Sequence, residues 1–346
     1  MKTVLFTAVG VLVALVLGEI SLRVLDVARP LEAPGRPDRP DMFVADPIVG
    51  YHLRPSIRMC MRYPLGSNRV AHIVSNSDGF RSSRELGQTH RPTRILVIGD
   101  SFTFGLGVEE EARFTEVVEG IEPRWHVDNL GMPGWGLDLM IRSLDRFGSK
   151  AKPNVVVLAV NTDDFRRLNP WFAGIGYAYT KYAVHHGKLV DVPYPTRSFW
   201  DRLRLVELVR TTIWPNHEVR NWNYFSLNEA LVERFRLLTL GLRAAPVIMF
   251  LPGRGDTSFD QERRTTLRGW ARARQIPFLD LTDRIHGAGV DSTYISGNAH
   301  WNERGHRIAG EALHELLATA VLGNAGATSE AAPPPAQRMP TTRWCR

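Results

Sequence analysis

Short apolar runs alternate with amphipathic segments along most of this chain. Strands are predicted at residues 94–98, 125–131, 154–160, 246–252 and 277–282. Segments with helical periodicity lie at residues 110–121, 135–147, 259–275 and 302–322. The third run, "NVVVLAV", is apolar throughout, as expected for a parallel strand covered by helices on both faces. The alternation predicts an α/β domain whose parallel sheet lies between two layers of helices.

The N-terminus has a different pattern. An apolar run from Val4 to Leu17 continues, with Glu19 and Arg23 as the first charged residues after it, toward the length of about 20 residues that spans a bilayer. Residues 1–27 are therefore predicted to be an uncleaved membrane anchor, and a cleaved signal peptide is the alternative.

The remaining segments are assigned by composition. Residues 28–42, rich in Pro and charge, are a predicted linker, and residues 43–90 are a predicted β-rich extension. The main domain is predicted at residues 91–322, and the Ala- and Pro-rich residues 323–346 are a predicted disordered tail.

An insertion at residues 165–225 interrupts the main domain and is rich in aromatic residues. Its tryptophans are Trp171, Trp200, Trp214 and Trp222. Its stretch "YAVHHGKLVDVPYP" predicts a β-hairpin. The aromatic residues have two interpretations: a platform on which sugars stack, or a small core of the insertion itself.

Composition excludes some partners. The 346 residues carry a net charge of +7, but the basic residues are spread along the chain and no nucleic-acid motif occurs, so no nucleic-acid partner is expected. Cys60 and Cys345 are the only cysteines, and no Cys/His zinc spacing exists. No metal site is therefore expected.

Polar residues follow the predicted strands. Ser101 follows the first strand in "ILVIGDSFTFG", Gly131 follows the second, Asn161 follows the third, and His300 precedes the last helix. Because ligands bind at the carboxyl edge of parallel α/β sheets, these residues are expected to meet there. Ser101 is then a candidate nucleophile and His300 its candidate base, with Gly131 and Asn161 as donors to an oxyanion. Ordinary turns and helix caps are the alternative for each residue taken alone.

Taken in order, several blocks resemble the SGNH hydrolase superfamily, also called GDSL-like esterases, in a bacterial branch with an N-terminal hydrophobic segment. These blocks are "DPIVGYHLRPS", "VSNSDGFRSS", "RILVIGDSFTFGLGV", "NLGMPGWGLDL" and "HWNERGHRIAGEAL". The resemblance implies a flavodoxin-like three-layer α/β/α fold with a five-stranded parallel sheet. It also implies that Ser101 is the nucleophile and that His300 is general base and then acid. The oxyanion hole would comprise the N–H groups of Ser101 and Gly131 and an Asn side chain, and no metal or organic cofactor would be needed.

The sequence departs from that superfamily at the acid of the triad. An Asp is expected two or three residues before His300, but Gly297 and Asn298 stand there. Asn298 would orient the imidazole without stabilising its charge. The alternatives are that a backbone carbonyl or Asp291 compensates, or that the protein is a weak or inactive enzyme.

A second departure lies in the third block, where the superfamily has Gly-x-Asn-Asp. "NTDD" puts Asp163 at the position of the Asn. An anion beside an oxyanion would be unfavourable, so Asn161 is favoured as the donor. Asp100, Asp163 and Asp291 remain secondary candidates for the site.

These observations together predict a serine esterase or deacetylase that acts on carboxylic esters of envelope carbohydrate or lipid. The alternatives are an O-acetyltransferase of an exopolysaccharide and a catalytically silent glycan-binding or scaffold protein. The expected location is the bacterial inner membrane, as a single-pass protein whose catalytic domain lies in the periplasm or outside the cell. Secretion after signal cleavage is the alternative.

Overall fold

A computed structural model describes residues 2–27, 39–170, 172–195, 198–209 and 222–321. Most of the predicted linker and the whole predicted tail, residues 323–346, lie outside the described residues. The same is true of Trp171 and Trp214.

The strands, in chain order, are β1 (Phe43–Asp46), β2 (Gly50–Leu53), β3 (Arg58–Arg62), β4 (Val70–Val74), β5 (Thr93–Gly99), β6 (Trp125–Gly131), β7 (Val155–Asn161), β8 (Lys181–His185), β9 (Lys188–Val192), β10 (Ala245–Leu251) and β11 (Phe278–Asp280). The α-helices are α1 (Lys2–Val24), α2 (Ser101–Phe104), α3 (Phe114–Ile121), α4 (Leu137–Ala151), α5 (Thr162–Arg166), α6 (Arg204–Leu208), α7 (Trp222–Gly241), α8 (Ser258–Ala273), α9 (Thr282–Gly287), α10 (Val290–Thr293) and α11 (Glu303–Leu316).

The central sheet has the strand order β11-β10-β7-β5-β6, and each neighbouring pair in it is parallel. Side chains alternate between two buried layers along β5. Leu96 and Ile98 face the layer that contains α4 and α7, whereas Ile95 and Val97 face the layer that contains α3 and α11. The predicted five-stranded parallel sheet with helices on both faces is therefore confirmed.

Helix α7 was not predicted from the sequence. Its buried residues include Leu231 and Phe235, but Leu237 and Leu240 of the same helix are about half exposed. Apolar residues therefore lie around the helix instead of forming one stripe, and this weakens the periodic signal on which a helix prediction depends. The helix packs against α4.

Tyrosines of the insertion pack on the N-terminal extension and on the main domain. Tyr177 stacks on Tyr51 of β2 with ring centroids 5.3 Å apart, and Tyr179 is buried. The ring of Tyr182 lies under the guanidinium of Arg142, 3.9 Å from its carbon. These residues extend the main core and do not form a separate one. The predicted hairpin is confirmed as the antiparallel pair β8 and β9.

The N-terminal extension, residues 43–90, forms two antiparallel hairpins, β1 with β2 and β3 with β4. Its buried rings enter the same core as helix α4. Tyr51 and Phe80 each contact Trp135 edge-on, with centroids 6.5 and 6.2 Å apart. Phe80 also meets Phe147 at 5.0 Å. The extension therefore shares a hydrophobic core with the sheet domain.

Helix α1 is long and apolar enough to cross a membrane, with a mean hydropathy of 2.3 and no buried residues. Its end contacts the insertion. The Glu19 carboxylate accepts hydrogen bonds from the N–H groups of Arg204 and Leu205, at 3.1 and 2.9 Å, at the start of α6. Arg204 also pairs with Asp26 at 3.1 Å. These contacts join the apolar helix to the domain.

Two glycines allow α2 to pack directly on the carboxyl edge of the sheet. Gly99 and Gly131 are partners in the β5–β6 register. A Cβ on Gly99 would lie 2.1 Å from Thr103 Oγ1, and one on Gly131 would lie 2.3 Å from the backbone nitrogen of Phe104. A side chain at either position would therefore push α2 off the sheet.

Replacing Gly131 with alanine is expected to destabilise the protein by about 1–3 kcal/mol, because the added methyl group overpacks the contact with α2. The free energy of unfolding in urea measures this. Gly269→Ala is the matched control, since a Cβ at this position in helix α8 meets nothing within 4 Å. The control is expected to be neutral or up to about 1 kcal/mol more stable. Equal unfolding free energies for Gly131→Ala and wild type would contradict the close approach of α2.

Candidate active site

Ser101 is the first residue of α2, directly after strand β5 and the helix N-cap Asp100. The Asp100 carboxylate accepts a hydrogen bond from the N–H of Phe102 at 2.9 Å, which fixes the start of the helix. Ser101 is only 5% exposed. In the described part of the chain its backbone N–H has no acceptor. A backbone donor next to a hydroxyl suits the stabilisation of an oxyanion that forms there.

His300 lies in the loop between α10 and α11, and this loop brings its imidazole to Ser101. The distance from His300 Nε2 to Ser101 Oγ is 2.8 Å. The loop is held by a hydrogen bond from the N–H of Ile295 to the His300 carbonyl at 2.9 Å. The Asn302 side chain adds hydrogen bonds to the Ser292 carbonyl of α10 and to the Tyr294 carbonyl at the start of the loop. Two residues predicted from opposite ends of the domain are thus within hydrogen-bond distance.

Asn298 contacts the other nitrogen of the imidazole. Its Oδ1 lies 2.8 Å from His300 Nδ1 and also accepts the backbone N–H of His300 at 2.9 Å. A backbone N–H can only donate, so the amide atom that faces it must be the oxygen. That oxygen can only accept, and it therefore selects the tautomer with a proton on Nδ1. Nε2 is left with a lone pair toward Ser101.

Tyr63, which sequence reasoning did not single out, also lies at this nitrogen. Its hydroxyl oxygen is 2.9 Å from His300 Nδ1 and 3.3 Å from Asn298 Nδ2. Its ring meets the imidazole edge-on, with centroids 5.5 Å apart at an interplanar angle of 81°. Tyr63 comes from the N-terminal extension, far from the other site residues in sequence. No motif in the sequence marks it.

Burial lowers the pKa of His300 to about 4, with the Asp100 carboxylate acting to raise it and the Arg167 guanidinium to lower it. The imidazole is therefore neutral at pH 7. Burial raises the pKa of the Tyr63 phenol, which consequently keeps its proton. The resting site thus contains a neutral imidazole between a serine hydroxyl and two uncharged polar side chains.

A buried group of charges lies beside Ser101. Arg167 donates to Asp100 Oδ2 at 3.1 Å, to Asp164 Oδ1 at 2.5 Å and to the Trp135 carbonyl at 2.8 Å. Burial and then the Asp100 charge raise the pKa of Asp164 well above its usual range. Burial alone would lower the pKa of Arg167, but Asp164 and Asp100 outweigh it and raise that pKa. Asp100 Oδ2 is 3.4 Å from Ser101 Oγ, so its charge lies beside the serine and is partly offset by Arg167.

The two other predicted oxyanion donors are already hydrogen-bonded. The N–H of Gly131 donates to Asn129 Oδ1 at 2.8 Å, and this occupies its only hydrogen. Asn161 donates from Nδ2 to the Leu251 carbonyl at 2.8 Å. An amide nitrogen carries two hydrogens, so Asn161 retains a second donor. The Oδ1 of Asn161 accepts the N–H of Asp163 at the start of α5, so the residue is also a helix cap.

The remaining candidate acids make no hydrogen bond to the imidazole, although the Asp163 charge acts to raise the pKa of His300. Asp163 forms an ion pair with Arg166, and its side chain is half exposed. Asp291 forms an ion pair with Arg254, and its side chain is 95% exposed. Neither contacts His300 Nδ1, whose partners are Asn298 and Tyr63. Within the described residues, no group of three or more His, Cys, Asp or Glu side chains is arranged to hold a metal ion.

Several solved structures of low sequence identity are similar to this chain over about two thirds of its length. A lipolytic protein of the G-D-S-L family from Veillonella parvula DSM 2008 is 16% identical, with a TM-score of 0.43 over 66% of this chain and 99% of that chain. One of the same family from Desulfitobacterium hafniense DCB-2 is 18% identical, with a TM-score of 0.42 over 65% and 99%. The lipase/acylhydrolase from Enterococcus faecalis is 13% identical, with a TM-score of 0.40 over 65% and 95%. No curated protein matches the chain by sequence.

The family assignment rests on a match to a family model over residues 97–308, which is more than half of the chain. That segment extends from strand β5 into helix α11 and contains both Ser101 and His300. It confirms the resemblance to SGNH hydrolases and indicates, in general terms, an enzyme that hydrolyses esters. The chain belongs to the GDSL-like lipase/acylhydrolase family.

Proposed function

We propose that the protein is a serine esterase or deacetylase in which Ser101 is the nucleophile and His300 the general base. The observation that carries the proposal is the 2.8 Å contact between Ser101 Oγ and His300 Nε2. The proton on Nδ1, held by Asn298 Oδ1, leaves Nε2 free to accept the serine proton.

The reaction has two stages. Ser101 Oγ attacks the ester carbonyl carbon while its proton passes to His300 Nε2. The negative oxygen of the tetrahedral intermediate accepts hydrogen bonds from the Ser101 N–H and the second amide hydrogen of Asn161. Collapse of the intermediate expels the alcohol, which takes the proton from Nε2, and leaves Ser101 acylated. Water then attacks the acyl group with His300 again as base, releasing the acid and restoring the serine.

Asn298 takes the place of the triad acid in orientation but not in charge. In a serine protease triad, an Asp-to-Asn change costs about 10⁴ in turnover because the wrong imidazole tautomer results. Here the backbone N–H of His300 fixes the amide oxygen toward Nδ1, so the productive tautomer is retained. What is missing is the full negative charge that stabilises the imidazolium in such a triad, which supports slow but real turnover. The neutral Asn298 also motivates the second candidate, a catalytically silent glycan-binding or scaffold protein.

We assign the substrate to acyl esters of envelope carbohydrate or lipid, and the protein to a bacterial inner membrane with its domain in the periplasm or outside. Helix α1 supports the location, and so does the surface beside its end. Phe199 and Trp200, next to α6, are 68% and 66% exposed and contact each other. Exposed aromatic residues beside an apolar helix are typical of the membrane–water interface.

Replacing Ser101 with alanine is expected to abolish both hydrolysis of p-nitrophenyl acetate and labelling by a fluorophosphonate probe, because Ser101 is the one nucleophile among the described residues that contacts His300 Nε2. Turnover and label incorporation measure this. Ser149→Ala is the matched control, since Ser149 is exposed near the end of α4, away from the carboxyl edge of the sheet. The control should keep wild-type rates. A wild-type protein that neither labels nor hydrolyses esters would favour the silent binding protein.

The pH dependence of kcat/KM tests whether the neutral Asn298 side chain sets the pKa of His300. Because the base form is present above its pKa of about 4, wild-type kcat/KM is expected to fall only below about pH 5. Asn298→Asp places an anion at the imidazolium and is expected to raise the pKa of His300 by about 1–3 units. The variant should therefore be slower than wild type near pH 5 and faster near pH 8, where its base is neutral and its imidazolium is stabilised. Superimposable profiles would show that Asn298 does not act on His300.

Leu12→Arg is expected to release the protein from membranes, because arginine at the centre of a spanning helix costs about 2.5–3.5 kcal/mol of insertion free energy. Leu12→Ile preserves the hydropathy and serves as the control. Fractionation with an alkaline carbonate wash measures the partition. Recovery of wild type in the soluble fraction, with residues 1–27 absent from its mass spectrum, would instead show signal cleavage.

A further inference from the structure

One residue of the site, Tyr63, comes from outside the segment that matches the family model. Tyr63 lies in the turn between β3 and β4, before residue 97 at which the match begins. Its hydroxyl oxygen nevertheless lies 2.9 Å from His300 Nδ1, nearly the same distance as Asn298 Oδ1 at 2.8 Å. The proton on Nδ1 is therefore placed between two neutral oxygen atoms from different parts of the chain.

The β3–β4 hairpin is fixed against the loop that follows α2 and against the start of α11. Arg69 donates to the carbonyl of Gly107, in the loop after α2, and pairs with Glu303 at the start of α11. On β4, His72 Nδ1 and the His72 N–H both contact the Glu109 carboxylate, at 2.9 and 3.0 Å. These contacts hold the turn with Tyr63 in one position relative to Ser101 and His300.

Gly107 makes room for the tyrosine ring. It has a φ of +87°, and a Cβ there would lie 3.0 Å from Tyr63 Cδ1 and 2.6 Å from Ile295 Cδ1. Tyr63 thus lies tightly between the loop after α2 and the loop that carries His300. A tyrosine packed in this way presents its hydroxyl at a fixed place, with little conformational entropy left to lose.

We propose that Tyr63 is a positioning residue of this site, which it completes from the N-terminal extension. Its oxygen accepts, together with Asn298 Oδ1, the Nδ1 proton of His300. When the serine proton passes to Nε2, the Nδ1 proton stays on the ring, and both oxygens stabilise the imidazolium through their dipoles. Two neutral acceptors thus substitute for one carboxylate. This inference rests on the proposed serine esterase mechanism.

The alternative orientation, in which the Tyr63 hydroxyl donates to Nδ1, is unfavourable. It would require a lone pair on Nδ1, and that lone pair would face the lone pairs of Asn298 Oδ1 at 2.8 Å. The proton would then lie on Nε2, and His300 would be unable to accept the serine proton. The accepting orientation of Tyr63 is therefore the one consistent with Asn298.

The test compares wild type with Tyr63→Phe, which removes the hydroxyl and keeps the ring. Because the hydroxyl contacts His300, kcat is expected to fall about tenfold to hundredfold with KM unchanged, the scale of one hydrogen bond to a charged group. Tyr182→Phe is the matched control, because Tyr182 is a half-buried tyrosine of the insertion whose ring packs on Arg142, and it should keep wild-type kcat. Thermal unfolding of each variant establishes that the fold is retained.

Two further measurements separate positioning from a structural role. In the double variant Tyr63→Phe with Asn298→Asp, the carboxylate supplies the missing acceptor, so kcat is expected to recover most of the loss. The ¹⁵N NMR spectrum of the His300 imidazole is expected to show a proton on Nδ1 in wild type and a displaced Nδ1 resonance in Tyr63→Phe. A kcat loss that Asn298→Asp does not rescue would overturn the proposal.

Failure of the inference can be distinguished from failure of the proposed function. If wild type hydrolyses esters and Tyr63→Phe leaves kcat and the Nδ1 resonance unchanged, Tyr63 has no positioning role and the esterase mechanism stands. If wild type neither labels nor hydrolyses esters, the esterase mechanism fails and the catalytic part of this inference fails with it. The NMR comparison, made in the Ser101→Ala background, then decides whether the Tyr63–His300 hydrogen bond exists.

Discussion

The close approach of helix α2 to the carboxyl edge of the sheet determines where everything else in the site lies. Gly99 and Gly131, paired across β5 and β6, leave no side chain between the strand ends and the helix. Ser101 consequently begins the helix directly above the sheet, where the loop before α11 reaches it with His300. A larger residue at either glycine would displace the serine from the imidazole, and a hydrogen bond of 2.8 Å does not tolerate a shift of an ångström.

At His300, the residue that orients the imidazole ring is not the residue that carries a negative charge nearby. In a triad with an acid, one carboxylate both selects the tautomer and stabilises the imidazolium. Here the Asn298 oxygen selects the tautomer, while the Asp100 carboxylate lies beside Ser101 and is paired with Arg167. Burial lowers the pKa of His300 to about 4. The imidazole is thus a weak base that stays unprotonated over a wide pH range, and its protonated form is energetically unfavourable.

The sequence was most informative for elements that can be recognised from the residues of a single segment. Short apolar or alternating segments between turn signals and helical segments predicted the five strands of the sheet, because the β-α alternation is typical of a parallel sheet covered by helices. The polar residues after those runs led to Ser101 and His300, which the structure places together. Helix α7 was missed because its apolar residues surround the helix and do not form a stripe.

Details that depend on contacts between distant segments were not visible in the sequence. Tyr63 and His300 are 237 residues apart, and only the folded hairpin brings them together. Nothing in the sequence distinguishes Arg167 from other charged residues, but in the folded protein it lies between Asp100 and Asp164. Likewise, Gly131 was predicted to donate to an oxyanion, but the side chain of Asn129 takes its N–H. Side-chain direction is set by tertiary packing, which periodicity does not encode.

The N-terminal extension cannot be treated as a separate appendage to the hydrolase domain. Phe80 and Tyr51 bury their rings against Trp135, whose carbonyl also accepts a hydrogen bond from Arg167. The same residues that stabilise the extension therefore adjoin the buried charges beside Ser101. A change in the packing of the extension would alter the hairpin that carries Tyr63 and, through Arg167, the field at the serine. Folding of the extension and formation of the site are thus coupled through one hydrophobic core.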